Sequence, residues 1–129
     1  MTKVIIGKIK RNRRQSKSPT QRSLAHLRKE GWTVAIVEKF NPHIKIRQDL
    51  WGFGDLFCFH PLRGIDMIVQ TTTSSNMAGR IEKVRENATA VLWLTVPLHR
   101  LEVHGWAKRF ERGKKRPTYE LRREEIKPV

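Results

Sequence analysis

The chain has 129 residues, 38% of them apolar, with 27 Lys plus Arg against 12 Asp plus Glu and a formal net charge of +15. That size suits one domain with a modest core, and the apolar content argues against a disordered polymer. No run of about 18 apolar residues occurs, and Val4-Ile5-Ile6 is too short for a signal-peptide core, so no membrane association and a cytoplasmic location are expected.

Residues 1–17 hold seven basic side chains and no acid, among them Arg11, Arg13 and Arg14, and show no sustained periodicity. They read as a flexible basic arm. Ser18-Pro19-Thr20-Gln21 has the make-up of a helix start, with Ser18 accepting from the Gln21 amide, and Gly31 is a natural stop, predicting a helix over 19–30. Trp32–Val37 is β-branched and apolar at nearly every position, as in a strand covered on both faces. A polar connection follows Asn41-Pro42. Gly52–Pro61 reads as a second strand and Asp66–Thr72 as a third, joined through the short Arg63-Gly64 turn as a hairpin.

Asn76 opens a second helix in which Met77, Ile81, Val84 and Ala88 follow helical spacing. The apolar run Ala88–Thr95 suits a buried strand or further helix, and we read it as helix up to Pro97. Leu98–Trp106 alternates, with Leu101 and Val103 on one face and Glu102 and His104 on the other. Tyr119–Glu124 reads as a last edge strand behind the loop Arg112–Pro117, which carries Lys114, Lys115 and Arg116. This divides the chain into an arm (1–17), an α/β domain with a mixed central sheet flanked by helices (18–107), and a basic loop with an edge strand (108–129).

Residues 107–129 carry nine bases against four acids, while residues 18–106 carry eleven against eight. A nearly balanced body with basic extensions suits a polyanion partner, since each cation placed near a phosphate releases condensed counterions. Nucleic acid is the expected partner. The alternatives for basic tails are solubility, a membrane surface or an acidic protein.

Asp55 is the only acid in an apolar run, and burying it as an anion is costly unless a cation or several hydrogen bonds compensate. In the simplest hairpin register, Asp55 and the Gln70 side-chain carbonyl converge on one hard cation, with a backbone carbonyl near Thr71 as a third ligand. The alternative is that Asp55 caps the turn after Gly54 and Gln70 satisfies a strand end. Thr71–Asn76, with Ser74, Ser75 and Asn76 followed by Arg80 and Lys83, forms a hydroxyl-rich helix start suited to phosphate, or to simple capping. The five histidines have no zinc-site spacing, and His104 reads as structural. Single Cys58 excludes an internal disulfide and a cysteine-built zinc site, and its apolar strand argues against a nucleophile. Of the aromatics, most belong to the core, while Trp51 in a polar lead-in could stack on a base.

The order of helix, strand, strand bearing Gly54-Asp55-Leu56, strand bearing Gln70-Thr71-Thr72, helix at Asn76, and strand Glu102–Trp106 resembles the PD-(D/E)XK nuclease superfamily. The likeness covers residues 19–107 and is nearest to small Holliday-junction-resolvase-like and phage-type endonucleases. It implies a restriction-endonuclease-like core, a Mg²⁺ (or Mn²⁺) cofactor, hydrolysis of branched or duplex DNA, and a homodimer, since two strands need two sites. By the resemblance Asp55 and Gln70 are the metal ligands and Thr72 stands where the family has a Lys that assists the attacking water. The acid many relatives carry early in the first helix is replaced by Gln21, Arg22 and Ser23. Asp49, Glu38 or Glu30 could supply that carboxylate and Lys39 or Lys45 the ammonium. The competing readings are a DNA-binding protein with this fold and a degenerate site, and an RNA-binding ribosome-associated protein.

Overall fold

A computed structural model describes residues 17–129. The arm expected over 1–17, with Arg11, Arg13 and Arg14, lies outside the described residues apart from Lys17. The elements in order are α1 (Pro19–Lys29), β1 (Thr33–Ile36), β2 (Lys39–Asn41), β3 (Ile46–Gln48), β4 (Leu56–His60), β5 (Ile65–Thr73), a 3₁₀ turn (Ser74–Asn76), α2 (Met77–Arg85), α3 (Ala88–Trp93), β6 (His99–Arg109) and β7 (Thr118–Glu125).

Five strands form one mixed sheet in the order β1-β4-β5-β6-β7, and β2 and β3 form a separate two-stranded ribbon. Among the described strands only the β5–β6 pair is parallel, and the connection between them runs through α2 and α3. A parallel pair needs such a crossover, whereas β4 and β5 are joined by the short turn after His60. The sheet is therefore covered on both faces by helices, as expected for an α/β domain with a mixed central sheet.

α1 begins as its sequence requires: Ser18 is extended and its hydroxyl accepts from the Gln21 amide at 3.2 Å. Gly31, at φ +99°, ends it in the left-handed region open to glycine. Its buried face is Thr20, Ser23 and Leu27, with Leu24 only partly covered. Leu27, Trp32, Val34, Leu56, Met67 and Val69 pack between α1 and the sheet. On the opposite face Phe53, Ile68, Val84, Leu101, Val103 and Ile126 pack beneath α2 and α3. Burying each such side chain is worth about 1.5–3 kcal/mol, so the two cores carry the fold.

Three expectations are corrected here. β1 is not covered on both faces: it is the sheet edge, and of its four residues only Val34 is buried, because α2 and α3 sit over β5 and β6 instead. The second strand begins at Leu56 and not at Gly52, since Leu50–Gly54 is a closed turn. The polar connection after Asn41 holds half of the β2–β3 ribbon, whose Phe40, Ile44 and Ile46 are exposed. The Ala88–Trp93 segment is helical, capped by the Asn87 side chain accepting from the Ala90 amide. β6 runs unbroken through residue 107, and β7 pairs with it along its full length at the sheet's other edge. No helix among the described residues is long and apolar enough to cross a membrane.

Candidate metal centre

Three backbone pairings meet at Asp55. The β4–β5 register, extended by one residue, sets Asp55 across from Gln70, and the Asp55 amide donates to the Val69 carbonyl at 2.9 Å. On the other side of β4, the Val37 amide donates to the Asp55 carbonyl at 2.9 Å, which delivers Glu38 just past the end of β1. Finally, Leu50 and Gly54 exchange hydrogen bonds of 2.7 and 2.9 Å, so the residues outside that bridge, Asp49 and Asp55, also face one another. The turn closes because Trp51 and Gly52 take φ values of +54° and +83°. Gly52 adopts that conformation freely, while Trp51 does so at a cost of about 1–2 kcal/mol.

The result is a cluster of three carboxylates, Glu38, Asp49 and Asp55, whose oxygens lie within 4.8 Å of one another. Asp55 is buried and the other two are half-buried. Asp55 Oδ2 accepts three hydrogen bonds: from Gln70 Nε2 at 2.7 Å, from the Thr71 amide at 2.7 Å and from Thr71 Oγ1 at 3.1 Å. Because the Thr71 hydroxyl proton is given to Asp55, Thr20 Oγ1 must be the donor in its 2.8 Å contact with Thr71 Oγ1. The first turn of α1 is thereby tied to the site.

Burial, above all, pushes the Asp55 carboxyl up to about 8; the Thr71 amide opposes this, and neighbouring Asp49 and Glu38 add to it. Since Oδ2 is committed to donors, a proton held by Asp55 sits on Oδ1, toward the other carboxylates. A hard divalent cation is the natural replacement for that proton, and oxygen donors of this kind suit Mg²⁺ or Mn²⁺.

A cleft of about 300 Å³ opens over the cluster, with Arg47 and Arg80 on its walls. Arg47 Nη1 stands 3.5 Å from Glu38 Oε1, a long contact from a largely exposed side chain.

The expected ligands Asp55 and Gln70 do come together, but not in the expected way. Gln70 turns its amide nitrogen to Asp55 and also donates to the Thr71 carbonyl at 3.3 Å. Thr71 contributes its amide and hydroxyl to Asp55, so both residues orient the carboxylate, and the further oxygens come from Asp49 and Glu38. Of the three acids considered, Asp49 and Glu38 stand beside Asp55, while Glu30 does not: it pairs with Arg123 at 2.7 Å. Thr72 is buried opposite Gly105 of β6 and does not line the cleft. The cations at the cleft are Arg47 and Arg80, and neither Lys39 nor Lys45 lines it. Arg47 carried no signal in the sequence beyond its charge, and the Asp49–Asp55 pair depends on a turn that closes through Trp51 at φ +54°.

The expected phosphate seat is divided. Arg80 joins the carboxylate cleft, and Lys83 faces a neighbouring hollow beside Gly52 and Asn87. Ser74 and Ser75 line a separate, adjoining groove with Lys17, Arg22 and Lys108. Neither Thr73 nor Asn76 caps its helix through a side chain. Lys114, Lys115 and Arg116 are exposed in the β6–β7 loop, with Lys114 paired to Glu111 at 2.9 Å. Trp51 is half exposed, its ring 6.5 Å from that of Trp93.

His104 belongs to a different network, buried at its Ser23–His104 end and open at Glu30 and Arg123. Its Nδ1 contacts Ser23 Oγ at 2.8 Å and its Nε2 contacts Glu102 Oε1 at 2.9 Å, while Arg123 links Glu102 to Glu30. Ser23 and His104 are fully buried, so this set locks α1 to β6 and β7 and offers no nucleophile. Burial lowers the His104 pKa, keeping the ring neutral. Cys58 is equally inert, its thiol pushed up to about 12 chiefly by burial.

No family model, curated protein or solved structure matches this chain.

Proposed function

We propose that the protein is a metal-dependent endodeoxyribonuclease that hydrolyses phosphodiester bonds of branched or duplex DNA, a reading carried by the Glu38–Asp49–Asp55 cluster in an arginine-walled cleft. Two further observations support it. The chain's +15 charge suits a polyanionic substrate. The element order on which the PD-(D/E)XK resemblance rests is also that of α1, β1, β4, β5, α2 and β6, with the β2–β3 ribbon and α3 inserted, Asp55 immediately before β4 and Gln70 within β5.

Asp55, Asp49 and Glu38 would hold Mg²⁺ or Mn²⁺, which supplies a more acidic bound water and offsets charge on the scissile phosphate. Gln70 and Thr71 fix Asp55 Oδ2 and so keep Oδ1 turned to the other carboxylates. Thr20 extends that support into α1. Arg80 and Arg47 meet the phosphate oxygens as fixed positive charges and take over the electrostatic part of the role of the absent Lys at Thr72. An arginine does not give up its proton, so neither acts as a general base. A homodimer would place two such clefts on the two strands.

The replacement of the family's Lys by Thr72 favours a second reading, a DNA-binding protein with a degenerate site. Incubation of four-way junction and linear duplex DNA with the full chain in Mg²⁺ or Mn²⁺ separates the two. Cleavage that disappears in Asp55→Asn while binding persists supports the nuclease; binding without cleavage in either ion supports the second reading.

A further inference from the structure

We infer that the groove between α1, the end of β5 and the β6–β7 ladder seats the DNA backbone that flanks the carboxylate cleft. The inference rests on the nucleic-acid reading above and adds where the polymer runs. Lys17, Arg22, Lys108 and Arg109 line this groove, and no acidic side chain does. Arg109 is paired with Glu120 at 3.1 Å, but both side chains are more than half exposed, so the pair is worth little and yields readily to a phosphate.

Arg22 is held in place before any ligand arrives. Its Cζ lies 3.2 Å from the centre of the Tyr119 ring, and Tyr119 stands directly across the β6–β7 ladder from Lys108. A guanidinium stacked on an aromatic face has already lost much of its rotamer freedom, which lowers the entropy cost of gripping a phosphate.

The groove adjoins the candidate metal centre, for Pro19 in the first turn of α1 lines both. Beyond the carboxylates, Gln70 and Arg80 line both the cleft and the hollow that contains Lys83. The surface therefore runs from cations, through three carboxylates, to cations again. A polyanion bound along it meets Lys17, Arg22, Lys108 and Arg109 on one flank and Arg80 and Lys83, beside the single acid Glu86, on the other, with the three carboxylates in the middle.

The test uses the full chain carrying Asp55→Asn, without divalent cation, so that neither cleavage nor metal contributes to binding. Affinity for a labelled DNA duplex is measured over a series of salt concentrations. Adding Arg22→Ala and Lys108→Ala is expected to reduce the slope of log K against log salt by about 2, close to 0.9 for each phosphate that is no longer neutralised. Lys108→Ala alone, at an exposed position, reduces it by about 1 and covers the case in which the double variant does not fold. Arg63→Ala, in the β4–β5 turn at the opposite end of the sheet, leaves the slope unchanged. An unchanged slope in a folded Lys108 or double variant overturns the inference, as does an equal loss in Arg63→Ala. These results are independent of cleavage: a wild type that never cuts removes the nuclease reading and leaves the backbone track standing.

Discussion

Gln70 Nε2 lies 2.7 Å from Asp55 Oδ2, so the residue expected to share a cation with Asp55 instead holds it in position. With Thr71 adding two donors to the same oxygen, the carboxylate is fixed in orientation while burial keeps it protonated up to a pKa of about 8. An amide at position 55 preserves the acceptor and removes the charge. Asp55→Asn is therefore expected to fold with a melting temperature at pH 8 equal to or above that of the wild type, and to lose the stabilisation that Mn²⁺ gives the wild type. Thermal melts of both proteins with and without Mn²⁺ check this.

The same carboxyl sets a pH dependence. In the unfolded chain Asp55 loses its proton near 3.8, whereas in the fold it keeps it to about 8. Between those values the folded state binds the extra proton, so this group makes metal-free stability fall as pH rises. A cation that replaces the proton is bound more tightly as pH approaches 8. Denaturant melts from pH 5 to 8.5 are expected to show a declining contribution in the wild type that is absent in Asp55→Asn.

Glu102 acts with the opposite sign. Although burial alone would raise it, His104 and Arg123 hold its pKa down at about 2, against an ordinary value of 4.5. Its contribution is complete above pH 4.5 and is lost as pH falls toward 2. Glu102→Gln leaves Arg123 and His104 without their anion and is expected to cost about 3 kcal/mol at neutral pH. The variant's stability then varies less with pH between 4.5 and 2 than the wild type's, as measured by denaturant titration.

Gly54 has its role in the turn that joins Asp49 to Asp55. A Cβ there would lie 2.9 Å from Ile68 Cγ2 and 3.2 Å from Leu50 Cβ. Gly54→Ala forces the Leu50–Gly54 bridge outward, at a cost of about 1–3 kcal/mol for overpacking. Because Asp49 moves with that bridge, Mn²⁺ stabilisation is expected to be lost even at temperatures where the variant remains folded. Melts with and without Mn²⁺ separate the two effects.

Much of this arrangement was legible in the residues. The Ser18 cap, the Gly31 stop, the β4–β5 hairpin and the alternation of β6 follow from local chemistry, and the hairpin register alone brings Asp55 to Gln70. What sequence spacing does not reveal is the closure of residues 50–54, which requires Trp51 in a conformation few tryptophans adopt. Without that turn, Asp49 reads as one acid in a polar connection. Glu38 was likewise visible only as a candidate, since its approach depends on β1 pairing with β4 and not on any neighbour in the chain. The division of Ser74 and Ser75 from Arg80 is a matter of which groove each lines, and the run of hydroxyls conceals it. Thr20 and Ser23 were also hidden, because a helix face that buries hydroxyls against a sheet looks solvent-exposed by periodicity alone.

The most direct measurement is an anomalous-scattering map from crystals of the full chain soaked in Mn²⁺. A peak within bonding distance of oxygens from Asp55, Asp49 and Glu38, absent in Asp55→Asn, is the expected result. Ordered crystals with no density among those carboxylates at saturating Mn²⁺, or with the ion bound elsewhere, would contradict the account.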